Sequence, residues 1–359
     1  MFVRAIKYIS AKYMGRKKDG ERGSVMSERV VLVTGGAGFI GSHTCVQLLL
    51  SGYSIVVVDN LSNSNYSVIQ NIEKLTSKQV CFYENDLCNQ ADVDKIFEEN
   101  HITDVIHFAG LKTISDSIKF PLMYYRNNLE MSFNILNTMD KYGVKNIVFS
   151  SSAAVYGPPS VLPINEETPL CTSNPYATSK LMVEKIIEDL CNFNSNKYWN
   201  AVVLRYFNPI GAHPSGLIGE NNLDKATNLM PYILRVAKGE AEVLNIYGND
   251  YNTEDGTCIR DYIHVMDLAT AHVKALELLR KQCGMKVYNL GTGIGHSVLE
   301  VVKTFERVNE ISVPYNFAAR RIGDVGVCYA DPSKANRELN WRARYTLTDM
   351  CRDAYNYFK

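Results

Sequence analysis

From Arg29 to Arg205, short runs of β-branched and other apolar residues alternate with longer amphipathic stretches. The apolar runs are Val30–Val33, Ser54–Val58, Val80–Tyr83, Val105–Phe108, Ile147–Ser150 and Ala201–Leu204. Continuous apolar runs of this length are typical of parallel strands that are buried on both faces, and most intervals leave room for a crossover helix. The pattern therefore predicts an α/β fold built on a doubly wound parallel sheet.

The regular alternation ends near residue 205, and Gly, Pro and Asn become frequent between residues 208 and 228. Two later stretches, Val265–Arg280 and Val298–Asn309, still have the pattern of helices. We therefore expect a first domain over residues 28–205 and a smaller, mixed α/β domain over residues 206–359, with the chain partly interleaved between them.

The first 27 residues differ from the rest of the chain. The cations that precede the first acid, Asp19, are Arg4, Lys7, Lys12, Arg16, Lys17 and Lys18. The segment lacks the apolar stretch and the small-residue cleavage site of a secretory signal. We expect a leader that is disordered or lies outside the core. An upstream start codon before Met26 and an organelle-targeting segment both remain open.

Composition excludes several classes of protein. Lys and Arg number 38 and Asp and Glu number 38 in 359 residues, so we expect no nucleic-acid partner. No apolar run reaches the roughly 18 residues that cross a bilayer, so we expect no membrane span. The nine cysteines are scattered without a Cys-x-x-Cys, and His-Glu-x-x-His is absent. These features argue against disulfides and a metal site and favour a reducing compartment, the cytoplasm.

A glycine-rich loop follows the first predicted strand and opens a helix that runs to Leu50. Its glycines at positions 35, 38 and 41 allow a tight turn and a close approach of the backbone to a diphosphate. The helix N-terminus then offers free N–H groups and a partial positive charge. In this strand–loop–helix context, the glycines predict a Rossmann-type dinucleotide site.

Asp59 ends the second strand, 18 residues after Gly41, where a carboxylate accepts hydrogen bonds from ribose hydroxyls. A 2′-phosphate would meet like charge there, so NAD is favoured over NADP. No cation is present among the next polar residues, which are Asn60, Asn63 and Ser64. Asp86-Leu87, after the third strand, is suited to the adenine. The alternatives are a helix cap for Asp59 and an exposed loop acid for Asp86.

Tyr176 and Lys180 are four residues apart at the start of a predicted helix that runs to about Asn192, so they share a helical face. A nearby ammonium favours the phenolate, and one cation at about 4 Å interacts by roughly 4 kcal/mol at an effective dielectric of about 20. That energy would lower a phenol pKa of about 10 by roughly 3 units. Ser152, at the end of the fifth strand, can bond the same substrate oxygen. Together these residues predict an acidified tyrosine base, whereas an exposed helix pair is the alternative for Tyr176 and Lys180.

At this point the chain resembles the extended short-chain dehydrogenase/reductase family, and within it the UDP-galactose (UDP-glucose) 4-epimerases. The likeness covers residues 29–353 and rests on VLVTGGAGFIGSH, VVDNLSNS, VIHFAGLKT, SSSAAVYG, NPYATSKLMVE, LRYFNPIGAHPSG, NLMPYI, YGNDYNTEDGTCIRDYIHVMDLA, YNLGTG and RRIGD. The resemblance implies a seven-stranded parallel sheet, a smaller domain that binds the substrate, bound NAD, UDP-sugar substrates and a homodimer.

The resemblance also assigns roles to individual residues. The residues implied to hold NAD are Gly35, Gly38, Phe39, Ile40, Asp59, Asn60, Asn63, Ser64, Asp86, Leu87, Phe108, Ala109, Gly110, Lys112, Asn127, Lys180 and Tyr206. The implied catalytic set is Ser152, Tyr176 and Lys180. The residues implied to contact the UDP-sugar are Lys112, Ser152, Tyr176, Asn208, Asn228, Leu229, Asn245, Tyr247, Arg260, Arg321, Asp324 and Cys328. An arginine fork suits phosphate oxygens, although surface ion pairs and a core aromatic remain open for these arginines and for Tyr247.

The implied reaction is 4-epimerisation through a transient 4-keto sugar. Dehydratase relatives carry an Asp-Glu pair directly after the serine, where this chain has Ala153 and Ala154, and alanine cannot move a proton. In the family, the position of Cys328 lines the sugar pocket, and a small residue there leaves room for a 2-acetamido group. The chain is therefore expected to accept UDP-GlcNAc and UDP-GalNAc as well, unless Cys328 is only a small buried apolar residue.

Other functions stay open at this stage. Within enzymes they are a UDP-uronate 4-epimerase or another nucleotide-sugar oxidoreductase of the same family. A protein that senses NAD without catalysis could share the fold, although it would not need a tyrosine base. The pathway, galactose use or polysaccharide supply, is not specified by the sequence.

Overall fold

The computed structural model describes residues 29–193, 198–221, 228–321 and 324–359, so the predicted leader, residues 1–27, lies outside them. Strands β1 to β13 are Val30–Thr34, Ser54–Val58, Cys81–Tyr83, Asp104–His107, Asn146–Ser152, Asn200–Tyr206, Asn208–Ile210, Leu244–Tyr247, Ile259–His264, Met285–Leu290, Gly295–Ser297, Tyr315–Ala318 and Val327–Cys328. Helices α1 to α11 are Phe39–Leu50, Ser67–Thr76, Gln90–Glu99, Ile114–Lys119, Pro121–Lys141, Pro175–Phe193, Leu229–Ala237, Val265–Leu279, Val298–Asn309, Ser333–Glu338 and Leu347–Asn356.

The main sheet has seven parallel strands in the order β10-β6-β5-β4-β1-β2-β3. This topology confirms the predicted α/β fold with a doubly wound Rossmann-type sheet. The strand order reverses between β1 and β4, and ligands bind at the carboxyl ends of strands beside such a point. The six predicted strands correspond to β1–β6, although Phe108 lies just after β4 and Val80 just before β3.

The faces of this sheet explain the unbroken apolar runs. In β1, Val31 and Val33 pack with α1, α2 and α8 on one side, while Leu32 packs with α3, α5 and α6 on the other. All three valine and leucine side chains are fully buried. The seventh strand, β10, comes from Met285–Leu290, so the chain returns to this sheet after residue 205.

The remaining strands form two smaller sheets. The longest of these strands, β9, pairs with β7 and β13 in parallel and with β11 in antiparallel orientation. The other small sheet is the parallel pair β8 and β12. A separate apolar core joins these strands to α7, α9 and α11. This region confirms the smaller mixed α/β part of the predicted fold class, while the domain bounds 28–205 and 206–359 stay predictions.

Within the described residues, no helix is long and apolar enough to cross a membrane. The same part of the chain contains no group of three or more His, Cys, Asp or Glu side chains that could hold a metal ion. All nine cysteines fall in described segments and are free thiols.

Candidate active site

The glycine-rich loop connects β1 to α1 at the point where the strand order reverses. Gly38 precedes the first turn of α1 and offers no side chain to cap its N–H groups. Gly35 has φ +68°, and a Cβ at Gly41 would lie 2.2 Å from the carbonyl oxygen of Gly35. A side chain therefore has no room inside this turn, which leaves the helix N-terminus open to a diphosphate. Phe39 and Ile40 form the first turn of α1.

Asp59, directly after β2, ties the glycine loop to the second strand. One carboxylate oxygen accepts the Ala37 N–H at 3.0 Å and the other accepts the Leu61 N–H at 3.0 Å. Burial raises the pKa of Asp59, and these backbone hydrogen bonds oppose the rise. The carboxylate thus organises the loop without capping a helix. Each oxygen still has a second acceptor position, so the hydrogen bond to ribose stays a prediction.

The neighbouring polar residues also order this edge. The Ser64 hydroxyl donates to the Ala37 carbonyl, and the Asn60 side chain accepts the Ser62 N–H at 3.2 Å. Asn63 lies in the same loop, between β2 and α2. These residues stay predicted cofactor contacts.

The far side of the crevice contains a buried polar atom without a partner. The Asn127 side-chain oxygen is buried and makes no hydrogen bond to the described residues, while its amide nitrogen lies 3.7 Å from the sulfur of Cys88. Asp86 accepts the Cys88 N–H at 2.9 Å, and Leu87 is buried beside it. Buried polar atoms are normally hydrogen-bonded, so the free acceptor of Asn127 fits a polar ligand such as a dinucleotide.

The segment after β4 closes the crevice against the glycine loop. The Ala109 N–H donates to the Thr34 hydroxyl at 3.3 Å, and a Cβ at Gly35 would lie 2.8 Å from the Ala109 nitrogen. The ring of Phe108 packs 4.6 Å from that of His272. This glycine loop, with no space for a side chain, and the unpaired oxygen of Asn127 together fit NAD.

The three predicted catalytic residues come together at the carboxyl end of β5. Ser152 is its last residue, and Tyr176 and Lys180 lie in the first two turns of α6. The Ser152 hydroxyl interacts with the Tyr176 phenol, and the Lys180 ammonium donates to the Ser150 carbonyl at 2.8 Å. Burial lowers the pKa of Lys180 to about 8, and the charge of Glu184 opposes this shift.

The structure corrects the expected effect of Lys180 on Tyr176. Burial raises the pKa of the phenol, and the groups that oppose the rise are the Ser152 hydroxyl and the charge of Lys112. The Lys180 ammonium is hydrogen-bonded to Ser150 instead. Desolvation of the phenolate therefore outweighs the favourable effect of the Ser152 hydroxyl and the Lys112 charge on the pKa of Tyr176.

Three other predicted contacts have defined surroundings. Lys112 forms a 2.7 Å ion pair with Glu220, and this carboxylate raises the pKa of Lys112. The Tyr206 hydroxyl is 2.5 Å from the Nε2 atom of buried His272, so it is engaged within the core. A Cβ at Gly110 would lie 3.7 Å from the Lys180 ammonium, which places this backbone against the catalytic lysine.

Strand β9 brings several predicted UDP-sugar contacts together. Arg260 is in register with Cys328 on β13, and its guanidinium lies 3.3 Å from Asp324. Asn208 on β7 is in register with Tyr262, two residues further along β9. The sheet thus aligns residues that are distant in sequence.

A second set of contacts lies around β8. Tyr247 and Asn245 are on the exposed side of this strand, and the Arg321 guanidinium is 4.1 Å from the centre of the Tyr247 ring. Asn228 precedes α7, whose first residue is Leu229. These positions stay predicted contacts for the nucleotide.

Sequence reasoning missed several polar residues that hold the site together. The Asn128 side-chain oxygen accepts from the Leu111 N–H, and its nitrogen donates to the Leu111 carbonyl and, at 3.0 Å, to the Ser179 hydroxyl. These bonds join the loop after β4 to α6. Glu184 forms a buried ion pair with Arg205. The sequence could have indicated Glu184, because it follows Lys180 by four residues and therefore lies on the face of α6 that carries Tyr176 and Lys180.

A parallel sheet with a dinucleotide loop at its reversal point and a Ser–Tyr–Lys set at the adjacent strand end defines a short-chain dehydrogenase/reductase. The family model of GDP-mannose 4,6 dehydratase matches residues 32–354. A UDP-glucose 4-epimerase of Bacillus subtilis is 55% identical over 91% of this chain and 96% of its own. This chain belongs to the NAD-dependent UDP-glucose 4-epimerases, within the family that the model describes.

Solved structures agree with this assignment. The UDP-glucose 4-epimerase of Stenotrophomonas maltophila, with bound NAD and formylated UDP-arabinopyranose, has a TM-score of 0.89 and 45% identity over 92% of this chain and 98% of its own. The UDP-Glc/GlcNAc 4-epimerase of Campylobacter jejuni has a TM-score of 0.81 and 35% identity over 92% of this chain and 99% of its own.

Proposed function

We propose that the protein interconverts UDP-glucose and UDP-galactose by inverting the configuration at C4 of the hexose. One arrangement supports it most: Ser152 ends β5 and Tyr176 lies in the first turn of α6, beside the reversal point that carries the glycine loop, and the Ser152 hydroxyl opposes the raised pKa of the Tyr176 phenol. This arrangement supports the proposal because the reaction needs a proton acceptor and a hydrogen-bond donor next to the cofactor.

In the proposed reaction, the phenolate of Tyr176 takes the proton of the 4-hydroxyl while Ser152 donates a hydrogen bond to the same oxygen. When bound, NAD supplies the acceptor for the hydride that leaves C4, so the sugar passes through a 4-keto form that regains the hydride on its other face. Between the two transfers, the keto sugar turns about its diphosphate link. Tyr176 then returns the proton to the oxygen at C4.

This chemistry requires the phenol to lose its proton despite burial. Two cations are available to favour the phenolate. The charge of Lys112 opposes the raised pKa of Tyr176, and Lys180 lies one turn further along the same helix. In the proposed complex, Lys180 also contacts the nicotinamide ribose. The UDP moiety would be held by Arg260 and Arg321, so that the sugar itself remains free to turn.

The residues of this site do not support the elimination of water that a dehydratase catalyses. The chain after Ser152 forms a short 3₁₀ helix, Ala153–Tyr156, whose first two side chains are methyl groups. Neither alanine can give or take a proton, so the acid and base of a dehydratase are missing at these positions.

We further propose that the enzyme accepts UDP-GlcNAc and UDP-GalNAc. Cys328 is half-buried beside Arg260, and its small side chain packs against the apolar cluster that includes Tyr156 and Phe207. A thiol at this position leaves space that a tyrosine would fill. The related Campylobacter jejuni protein, named as acting on both Glc and GlcNAc, supports this extension.

We also propose a homodimer that works in the cytoplasm. Helices α4 and α5 both pack against α6, and each of the three exposes apolar side chains. Ile118 is 60% exposed, Leu122 is 82% exposed and Met182 is 43% exposed. Apolar side chains on neighbouring helices are typical of an interface. Sedimentation of the purified chain tests this proposal, and the mass of a monomer would contradict it.

The function is tested by incubating the purified protein separately with UDP-galactose and UDP-GalNAc and identifying the products. We expect UDP-glucose and UDP-GlcNAc, with no net change in NADH absorbance. A steady rise in NADH would favour a nucleotide-sugar oxidoreductase. Turnover of UDP-uronates alone would favour the uronate epimerase, and NAD binding without any turnover would favour a sensor.

A further inference from the structure

Helix α6 carries a third ionisable group on its catalytic face. Glu184 follows Lys180 by four residues and Tyr176 by eight, and it is only 3% exposed. Residues four apart on a helix are neighbours on one face. The reaction described above gives this buried carboxylate no chemical step, yet it lies one turn from the catalytic lysine.

Three consecutive serines of β5 contact three residues of α6 at this spacing. The Ser150 carbonyl accepts from Lys180 at 2.8 Å, and the Ser151 hydroxyl donates to Glu184. Ser152 interacts with the phenol at the start of the helix. The Ser151–Glu184 hydrogen bond therefore holds the strand at the residue between Ser150 and Ser152, which interact with the catalytic lysine and tyrosine.

The carboxylate of Glu184 is itself fixed by the next strand. Arg205 on β6 donates to its two oxygens at 3.1 and 2.6 Å, and the third nitrogen of the guanidinium donates to the Tyr156 hydroxyl at 2.9 Å. That hydroxyl donates to Asn289 on β10 at 2.7 Å. A buried network of this kind holds its members in single positions because each polar atom has a partner.

The ammonium of Lys180 needs a compensating charge. Burial disfavours its charged form, and Glu184 is the group whose charge opposes that effect. From β4, the ring of His107 also faces it, but burial and the lysine charge lower the pKa of His107 to about 3, so this ring is neutral. Tyr176 and Tyr206 are phenols whose pKa values are raised by burial and add no charge.

We propose that Glu184 is a positioning residue of the catalytic helix: through Ser151 and Arg205 it fixes the end of β5 against α6, and its carboxylate keeps Lys180 in the ammonium form. This role rests on the proposed epimerase function. Glu184 touches neither substrate nor cofactor in the reaction, so it acts only through Lys180 and the serine strand.

The test compares holoenzymes that lose the charge of Glu184 together with that of its partner Arg205, or the charge of Arg205 alone. The double variant Glu184→Gln/Arg205→Met removes both charges, and therefore leaves no unpaired charge in the interior. Arg205→Met alone leaves the carboxylate without its partner. Glu188→Gln makes the same substitution one turn further on, at an exposed residue that pairs with Lys185, and is the matched control.

The titration of Lys180 is read from the NMR signal of carbon-13-labelled lysine, which a Lys180→Met sample assigns. We expect the midpoint to fall by about one pH unit in the double variant and to rise in Arg205→Met. The alkaline limb of kcat should move in the same directions, with KM little changed. Glu188→Gln should match the wild type in each measurement.

An unchanged Lys180 midpoint in a folded double variant would overturn the proposal, since a purely structural ion pair predicts that result. If the double variant does not fold, the direction of the shift in Arg205→Met decides, and a fall or no change counts against Glu184. The NMR titration needs no turnover. Failure of the wild type to epimerise UDP-galactose would therefore refute the proposed function separately.

Discussion

The predicted active site has a cofactor half and a substrate half, and the two contain different kinds of chemical groups. At the predicted cofactor site, the groups are backbone atoms and short side chains packed at the ends of buried strands, as at Gly35, Ala37 and Ala109. At the predicted UDP-sugar site, they include long side chains such as Arg260 on β9 and Arg321, whose guanidinium lies over Tyr247 of β8. The glycine loop of the first half has no space for a side chain at Gly35 or Gly41, whereas the second half relies on long side chains.

This difference matches the two ligands. A cofactor that stays bound through many turnovers is suited to a rigid, preformed loop. A substrate that must enter, turn and leave is suited to arginines that hold the diphosphate while the sugar is gripped loosely. Substitutions in the first half should therefore remove the cofactor, and those in the second should weaken only the substrate.

The largest effect is expected from Gly41→Val. A Cβ at this position would lie 2.2 Å from the Gly35 carbonyl oxygen, so the loop must open for any side chain. We expect the purified variant to retain less than roughly a hundredth of the wild-type NAD, because the loop backbone no longer fits the diphosphate. Turnover should fall in proportion. The NAD released on denaturation measures the first effect.

Gly52→Ala is the matched control for this loop. Gly52 also has a positive φ, +86°, but a Cβ there would meet no atom within 4 Å. Backbone strain should lower the free energy of unfolding by about 1 kcal/mol, while the NAD content stays unchanged. Normal NAD content in Gly41→Val would contradict the assignment of the glycine loop.

The next effect is expected from Tyr176→Phe, at the border of the two halves. Loss of the base should reduce kcat by about 10²- to 10⁴-fold, while folding and NAD content remain normal. Tyr142→Phe is the control, since its hydroxyl bonds Glu98 at 3.0 Å on a distant surface. Near wild-type turnover of Tyr176→Phe would exclude this tyrosine as the base.

The same contrast explains what could be predicted from the sequence. Strands that are buried on both faces leave long apolar runs, so β1–β6 were predicted within one or two residues, with Ser152 two residues beyond the fifth predicted run. The glycine loop was predictable because close packing of backbone restricts the residue type locally. Strand β10 was not predicted from the apolar pattern, because its first three residues are only half-buried and it includes the polar residues Lys286 and Asn289.

The sugar half depends on pairings between distant segments. Strands β7 and β13 have three and two residues, too few for any periodicity, and exist as strands only because β9 pairs with them. The Glu184–Arg205 ion pair likewise requires β6 to lie beside β5. The raised pKa of Tyr176 was not predictable either, since spacing gives the position of a cation but not the burial of the phenol.

A smaller effect is expected from Arg260→Met in the substrate half. Loss of a charge-assisted contact to phosphate should raise KM for UDP-galactose by about 10- to 100-fold, with NAD content unchanged. Arg320→Met is the control, because Arg320 pairs with Asp250 on the surface, with its side chain 46% exposed. Equal KM values for Arg260→Met and wild type would remove Arg260 from the UDP site.

The smallest effect on UDP-galactose turnover is expected from Cys328→Tyr. A phenol beside Arg260 would fill the space proposed for the 2-acetamido group, so turnover of UDP-GalNAc should fall at least about 100-fold. UDP-galactose lacks that group and should lose less than about fivefold. Cys328→Ser, which keeps the volume, should leave both substrates unaffected. Parallel loss of both activities in Cys328→Tyr would mean that Cys328 only fills the apolar cluster around Tyr156, and that the preference between hexoses is set elsewhere in the substrate half of the site.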